Sequence, residues 1–283
     1  MNTKTNPLAG YFRQPKHYIS FPSGGRWYPP HALERTASGE FAVLPMTASD
    51  EITLKTPDAL LSGQSTVDVI QSCVPAIKDA WFIPTIDLDL LLIAIRIASY
   101  GHEMEVNPPC PKCLAMNTYH ADLRQALSAS MNRQWKDVIN VNGLDVHIKP
   151  LSYRQLNAKQ MKTFEEQKLL EEIQRSELSD EEKIKKFNEG FKKITTLTVE
   201  IVLDSIEYIE TPDGQKVGER DLIHDFLKNT SRDVFEAINE LVKSNKNTFN
   251  LPPLRVVCDN ETCKHEWEQA LEFDVSNFFD RKS

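Results

Sequence analysis

Four cysteines in two distant pairs are the residues whose spacing most clearly predicts chemistry. Cys110 and Cys113 form a C-x2-C pair in the middle of the chain, and Cys258 and Cys263 form a C-x4-C pair near its end. Short turns of this kind supply thiolates two at a time to a tetrahedral Zn²⁺ ion, which binds sulfur at about 2.3 Å. The sequence therefore predicts a single zinc site built from both pairs.

Four thiolates complete a tetrahedral shell and leave no position for water, so we expect the Zn²⁺ to be structural rather than catalytic. Three histidines remain possible substitute ligands, because His102 and His120 flank the first pair and His265 follows Cys263. A ribbon that has lost its metal and keeps four free cysteines is the other alternative.

Composition favours an ordinary soluble globular protein in a reducing compartment. The 283 residues are 40% hydrophobic and 26% charged, and the five cysteines are an odd number that suits metal binding better than a disulfide framework. We expect the fifth, Cys73, to be a small buried apolar residue. The most apolar run, residues 88–98, is too short to cross a bilayer and contains Arg96, and no secretory signal is evident.

The net charge and the absence of known catalytic motifs argue against nucleic-acid binding and against enzymatic activity. A net charge of -8 argues against broad binding to a phosphate backbone. The chain has no phosphate loop, dinucleotide fingerprint, nucleophile elbow or HExxH motif, so we predict that it is not an enzyme. Asp87, Asp89 and Arg96 are interpreted as a cap and a structural ion pair rather than an active site. A zinc-ribbon nucleic-acid-binding or transcription adaptor is the alternative function, and a zinc hydrolase with an open metal position is a remote third.

The predicted fold class is α+β, mainly helical, with a split zinc-ribbon-like β module that joins the middle of the chain to the C-terminus. The positions of turn-forming and helix-capping residues divide the chain into five predicted segments. These are an extended N-terminal arm (1–45), a small helical domain (46–101), the first half of the ribbon (102–131), a mostly helical insertion with β-hairpins (132–250), and the second half of the ribbon with a C-terminal tail (251–283). Aromatic residues on the arm are expected to dock either on the same chain or on a partner.

Within the helical domain, start signals occur at Thr47, at Pro57, at Ser65 or Thr66, and at Pro84. The helix from Pro84 is apolar on nearly every side and is followed by Gly101, so we expect it to be the buried centre of the domain.

Within the insertion, an Asn142-Gly143 pair predicts a β-hairpin over 138–148, and residues 211–214 (Thr-Pro-Asp-Gly) predict a second, small one. Capping boxes at Ser152 and Ser179 begin two helices that should form an antiparallel pair. The dense charge from 165 to 193 favours a solvated outer face, with a binding arm as the alternative. Two short helices, about 221–228 and 231–243, follow, the second capped by Ser231 and ended by residues 245–247.

Several of these runs resemble the T-even-type bacteriophage baseplate hub and hub assembly protein family of contractile-tailed phages. The resemblance is carried by residues 45–58, 71–75 and 87–96 and by the Cys-Pro-Lys-Cys turn, and it returns at the last cysteine pair and at residues 274–279. It implies a non-enzymatic structural or assembly protein of the virion's tail baseplate, assembled in the host cytoplasm.

The same resemblance implies contacts with other baseplate hub or tape-measure proteins and an oligomer within the baseplate, with no nucleic acid or membrane partner. We expect such contacts at the N-terminal arm and at the apolar tail (275–279), which otherwise docks on the ribbon.

Overall fold

The structure of the protein, a computed structural model, describes residues 6–56, 62–131, 133–176 and 179–270. These residues are mainly helical with small β-sheets, so the predicted α+β class is confirmed. They belong to two compact units. The terminal unit comprises 1–80, 87–132 and 251–283, and the inserted unit comprises 81–86 and 133–250.

The helices, in chain order, are α1 Ala48–Leu54, α2 Gln64–Cys73, α3 Thr85–Tyr100, α4 Leu123–Met131, α5 Tyr153–Arg175, α6 Asp180–Ser205, α7 Arg220–Asn229 and α8 Arg232–Phe249. The strands are β1 His17–Ser20, β2 Glu40–Val43, β3 Glu103–Val106, β4 Tyr119–Asp122, β5 Val138–Val141, β6 Leu144–Ile148, β7 Ile206–Glu210, β8 Lys216–Val217, β9 Leu254–Val257 and β10 Glu266–Gln269. Among the described residues, none of the helices combines the length and apolar character needed to cross a membrane.

Much of the N-terminal segment packs on the same chain. Strand β1 pairs antiparallel with β2, and the ring of Phe21 stacks on that of Phe41 with centroids 4.3 Å apart. Both rings are buried, whereas the side chains of Tyr11, Phe12 and Tyr18 are exposed. The aromatic residues of this segment therefore divide into an inner set that contributes to the core and an outer set on the surface.

Helix α3 is the buried helix that the sequence predicts. It begins directly after Pro84 and ends before Gly101, whose φ of +94° is readily adopted by glycine. Asp87 accepts hydrogen bonds from the backbone N–H of Ser23 at 2.9 Å and from the hydroxyl of Tyr28 at 3.1 Å. Burial raises the pKa of Asp87 to about 6, although the bonds from Ser23 oppose the shift. The carboxylate thus fastens the N-terminal segment to α3.

The predicted helix starts have mixed outcomes. Thr47 and Asp50 form the capping box that begins α1, and the start at Pro57 lies outside the described residues. The start at Ser65 or Thr66 is wrong, because α2 begins at Gln64. Both side chains are buried within the first turn, and the left-handed backbone of Gly63 (φ +78°) turns the chain into the helix instead.

Both predicted hairpins are present, as the antiparallel pairs β5–β6 and β7–β8, and they join into one sheet that the sequence did not predict. The strand order is β5-β6-β7-β8, and Val146 of β6 lies opposite Ile209 of β7. The Asn-Gly turn is confirmed, with Asn142 at φ 52° and Gly143 at φ 81°. A lone two-stranded hairpin buries too little apolar surface to be stable, which favours the larger sheet.

One face of this sheet packs on α6, α7 and α8. The buried apolar cluster consists of Val141, Val146, Ile148, Val202, Leu203, Ile206, Ile209, Ile223, Leu227, Val234 and Ile238.

Helix α8 continues beyond its predicted end at 245–247. The side chain of Asn245 is buried, accepting a hydrogen bond from the Lys136 N–H at 3.1 Å and donating one to the Lys136 carbonyl at 2.7 Å. Phe249, on the next turn, lies beside Trp135 with ring centroids 6.1 Å apart. Because its side-chain amide is hydrogen-bonded to the Lys136 backbone, Asn245 does not bond to the backbone of its own helix, and the helix continues past it. Ser231 occupies the N-cap position but makes no side-chain capping bond.

Helices α5 and α6 form the predicted antiparallel pair, and both predicted capping boxes are present. Lys159 near the start of α5 lies 2.7 Å from the carboxylate of Asp204 near the end of α6. Further along, Lys193 lies 2.9 Å from Glu166. Ion pairs between polar side chains therefore contribute to the contact between the two helices.

Candidate metal centre

Two short antiparallel ribbons, both in the terminal unit, carry the four cysteines. The first consists of β3 and β4, and the second of β9 and β10. Each cysteine pair lies in the connection between the two strands of its ribbon. The ribbons bury little apolar surface, for among their strand residues only Met104, Ala121 and Val256 are buried.

The first cysteine turn is closed by backbone hydrogen bonds. The N–H of Cys110 donates to the Ala115 carbonyl at 2.9 Å, and the N–H of Leu114 donates to the Cys110 carbonyl at 2.8 Å. Leu114, directly after the second cysteine, has φ +59°, in the left-handed region that favours glycine. This conformation turns the chain back so that both thiols point to the same side.

The second turn closes in the same way despite its longer spacing. The N–H of Cys258 donates to the His265 carbonyl at 2.8 Å, and the N–H of Lys264 donates to the Asn260 carbonyl at 3.1 Å. Lys264 directly follows the second cysteine and has φ +43°. In both turns the N–H of the first cysteine thus donates to the carbonyl two residues after the second cysteine, and the residue directly after the second cysteine has a positive φ. The two extra residues of the C-x4-C pair do not change these two features.

The two turns bring the four cysteine sulfurs together. The Sγ atoms all lie within 4.8 Å of one another, with Cys110 3.9 Å from Cys263 and Cys113 3.5 Å from Cys258. Four thiolates around a zinc ion at 2.3 Å lie about 3.8 Å apart, whereas a disulfide requires about 2.05 Å. The four cysteines are free thiols in an arrangement that fits a tetrahedral metal ion.

The histidine alternatives are not part of this cluster. Across the described ranges, the four cysteines are the group of His, Cys, Asp or Glu side chains placed to hold a metal, and it includes neither His102 nor His120. The ring of His265 stacks on Trp267 with centroids 6.1 Å apart, while the thiol of Cys263 points into the cluster.

The surroundings of the thiols differ from one another. Burial opposes ionisation of Cys110, but the backbone N–H groups of Cys113 and Lys112 donate to its sulfur and bring its pKa down to about 7. Burial raises the pKa of Cys258 to about 12. Four adjacent thiols do not all ionise in the absence of a cation, because each thiolate repels the next. A divalent cation supplies the charge that holds four thiolates together.

Asn117 connects the two cysteine turns and was missed by sequence reasoning. Its side chain is buried, donates to the Ala115 carbonyl at 2.8 Å, and accepts a bond from the N–H of Asp259 at 2.7 Å. Asp259 directly follows Cys258, so this amide joins the turns independently of any metal. The available signal was an asparagine four residues after Cys113, inside the first half of the predicted ribbon.

One aromatic residue beyond each cysteine pair is part of the same junction. Tyr119 of β4 and Trp267 of β10 meet edge to face with ring centroids 6.4 Å apart. Burial raises the pKa of Tyr119. The contacts between the two ribbons therefore include an aromatic pair, an amide bridge and the four thiols.

Comparison with known proteins identifies a family. A family model described as T4 bacteriophage base plate protein matches residues 32–280, which includes both ribbons and all of the inserted unit. The searches of curated proteins and of solved structures found no significant match.

Proposed function

The chain belongs to the T4 bacteriophage base plate protein family, and from this premise we propose that it is a structural or assembly protein of the baseplate hub. The family is one of phage baseplate structural proteins, which implies a place in the tail of the virion and contacts with other phage structural proteins. The hub position, the action through protein contacts without catalysis, and the assembly role are the proposal.

The proposal includes a structural Zn²⁺ held by Cys110, Cys113, Cys258 and Cys263. The observation that carries it is the convergence of four Sγ atoms within 4.8 Å from turns 145 residues apart. A bound Zn²⁺ stabilises the fold, because its binding energy is available only when the two turns meet. Four thiolates leave no coordination position for a substrate, which supports a role in architecture.

The outer aromatic residues of the N-terminal segment are the proposed anchor for a neighbouring hub or tape-measure protein. Tyr11 is 87% exposed and Phe12 is 56% exposed, in a segment where Phe21 and Phe41 are buried. Aromatic side chains that enter a partner's pocket commonly carry much of the binding energy of an interface.

Co-expression with individual hub and tape-measure proteins of the same phage tests this assignment. The full chain should co-purify with one of them, and the double variant Tyr11→Ser/Phe12→Ser should not, since it removes the anchor without touching a buried residue. Phe164→Ser is the matched control, because Phe164 is 54% exposed on α5. Equal retention by both variants would contradict the role of the N-terminal segment.

Two further measurements separate the remaining possibilities. Mass spectrometry of purified virions distinguishes a subunit that stays in the particle from an assembly factor that leaves. Salt-dependent binding of the full chain to duplex or single-stranded DNA would favour the nucleic-acid adaptor instead.

A further inference from the structure

The four thiols of the cysteine cluster differ in their access to solvent. Cys110 and Cys258, the first cysteine of each turn, are fully buried. Cys113 is exposed, and Cys263 is partly exposed. Each turn therefore presents one thiol that a small dissolved molecule can reach and one that is shielded from it.

Two close sulfur contacts run between the turns. The Sγ atom of Cys113 lies 3.5 Å from that of Cys258, and the Sγ atom of Cys110 lies 3.9 Å from that of Cys263. Each contact joins the accessible thiol of one turn to the buried thiol of the other. Because the sulfurs of a disulfide are about 2.05 Å apart, Cys113 and Cys258 need to approach by only about 1.5 Å to form one.

An accessible thiolate beside a second thiol is the arrangement that favours oxidation to a disulfide. A peroxide oxidises the accessible thiolate to a sulfenic acid, which condenses with the neighbouring thiol. Susceptibility to this reaction follows exposure and thiolate character. All four sulfurs are thiolates when they hold a metal ion. Cys113 is more exposed than Cys263, so it is the expected point of attack.

We propose that the cysteine cluster is a redox-sensitive junction, in which a peroxide replaces the metal by disulfides between the two turns, Cys113–Cys258 first and Cys110–Cys263 second. The covalent bonds then join the middle of the chain to its C-terminal ribbon, as the metal does before oxidation. Disulfides within the turns, Cys110–Cys113 and Cys258–Cys263, close each turn on itself and do not join the ribbons.

The reaction consumes one peroxide for each disulfide. The Cys113 thiolate attacks an oxygen of hydrogen peroxide, the O–O bond breaks, and a sulfenic acid forms while hydroxide leaves. The Cys258 thiolate then attacks the Cys113 sulfur, the S–O bond breaks, and a second hydroxide leaves. Both hydroxides take protons from solvent and become water. Cys110 and Cys263 remain as two thiolates, which do not complete a tetrahedral site, so the metal leaves as Zn²⁺. A second peroxide joins them by the same steps.

The biological setting of this switch rests on the proposed function. Cytosolic reductants keep thiols reduced, whereas disulfides persist outside the cell. A subunit of a virion tail is assembled in the first environment and acts in the second. The metal therefore holds the two ribbons together during assembly, and disulfides replace it in the released particle.

Peptide mapping of the zinc-loaded full chain, without reductant, tests the bonds directly. Trypsin cuts after Lys112, between the cysteines of the first turn, and Glu-C protease cuts after Glu261, between those of the second. The two proteases together place each of the four cysteines on its own peptide, so every pairing gives a different linked mass. The chain is treated with about one and then about two equivalents of hydrogen peroxide.

The peptides of Cys113 and Cys258 should be linked at the lower dose, and those of Cys110 and Cys263 at the higher dose. A chromogenic chelator should detect the release of about one zinc per chain as the first link forms. The control Cys73→Ala should behave as the wild type. Links within a turn, sulfinic acid at Cys113 without a disulfide, or zinc that stays bound in excess peroxide would overturn the proposal.

Hydrogen exchange followed by mass spectrometry shows whether the disulfides maintain the junction. Residues 103–122 and 254–269 should stay protected after peroxide treatment, and dithiothreitol with a chelator should then abolish the protection, because the thiol reduces the disulfides. A loss of protection after peroxide as large as that after chelation in reducing buffer would overturn the proposal.

Failure of this switch and failure of the proposed function remain distinguishable. The disulfide map depends only on the four thiols and gives a result in a chain that contains no zinc, whereas zinc content alone decides the structural metal. The Tyr11→Ser/Phe12→Ser co-purification assay tests the hub assignment and does not involve the cysteines.

Discussion

The paired ribbons and the four-stranded sheet are two β structures in one chain that depend on different sources of stability. The sheet of the inserted unit has eleven buried apolar residues in its cluster. The ribbons are two separate two-stranded sheets whose strands bury only Met104, Ala121 and Val256 within the described ranges. Two-stranded hairpins are marginal in water. The sheet is therefore stabilised by apolar burial, whereas little apolar burial is available to the ribbons, and we expect them to depend on the proposed metal.

Removing the metal should have the largest effect and should act on the ribbons alone. Cys258→Ser, or chelation of the metal in reducing buffer, should remove on the order of 10 kcal/mol of metal-binding free energy. In hydrogen exchange followed by mass spectrometry, residues 103–122 and 254–269 should lose protection, while 138–148 and 206–210 keep it.

Cys73→Ala is the control for this experiment, because Cys73 is a buried free thiol outside the cluster. It should leave the exchange of the ribbons unchanged. Loss of protection in the sheet together with the ribbons would show that the two structures do not have separate sources of stability.

The reverse perturbation is a cavity in the core of the inserted unit. Ile238 is fully buried in its cluster, so Ile238→Ala should lower the free energy of unfolding of this unit by about 2–5 kcal/mol. Chemical denaturation should detect the loss, and the metal content of the folded protein should stay the same. Leu222→Ala, at a position 56% exposed on α7, should change stability little. A drop in metal content in Ile238→Ala would show that the stability of the ribbons depends on the core of the inserted unit.

The amide bridge between the cysteine turns tests how far the ribbons depend on metal alone. Asn117→Ala leaves the N–H of Asp259 without its acceptor and should cost about 1–3 kcal/mol. A fluorescent chelator should then extract the metal at a lower concentration than from the wild type. Asn140→Ala, an exposed asparagine in the sheet, is the matched control. Unchanged extraction from Asn117→Ala would show that the amide bridge does not contribute to metal retention.

The smallest expected effect is a gain. Leu114 is 76% exposed and has φ +59°, so Leu114→Gly should relieve backbone strain and stabilise the first ribbon by up to about 1 kcal/mol. Leu114→Ala keeps the left-handed strain and separates it from the loss of the side chain. In a chelator titration, Leu114→Gly should retain the metal to a higher chelator concentration than the wild type and Leu114→Ala. Metal retention by Leu114→Gly at or below that of Leu114→Ala would contradict the explanation by backbone strain.

Features determined by a few neighbouring residues were predictable from the sequence. The capping boxes at Ser152 and Ser179, the Asn142-Gly143 turn and the buried helix after Pro84 all follow from chemistry within one or two turns of chain. The cysteine spacing likewise indicated which four side chains the structure brings together.

Features determined by distant partners were not predictable in the same way. The pairing of β6 with β7 joins strands that are separated in sequence by two long helices. The hydrogen bonds of Asp87 come from Ser23, 64 residues earlier, and those of Asn117 reach Asp259, 142 residues later. A local pattern identifies such residues as polar but does not specify which backbone group they meet.

Elemental analysis of the purified full chain, kept reduced throughout, tests the central claim most directly. Inductively coupled plasma mass spectrometry should find one zinc per chain in the wild type and in Cys73→Ala, and almost none in Cys258→Ser. Well under one zinc per chain in reduced wild-type protein, with residues 103–122 and 254–269 still protected from hydrogen exchange, would contradict the account.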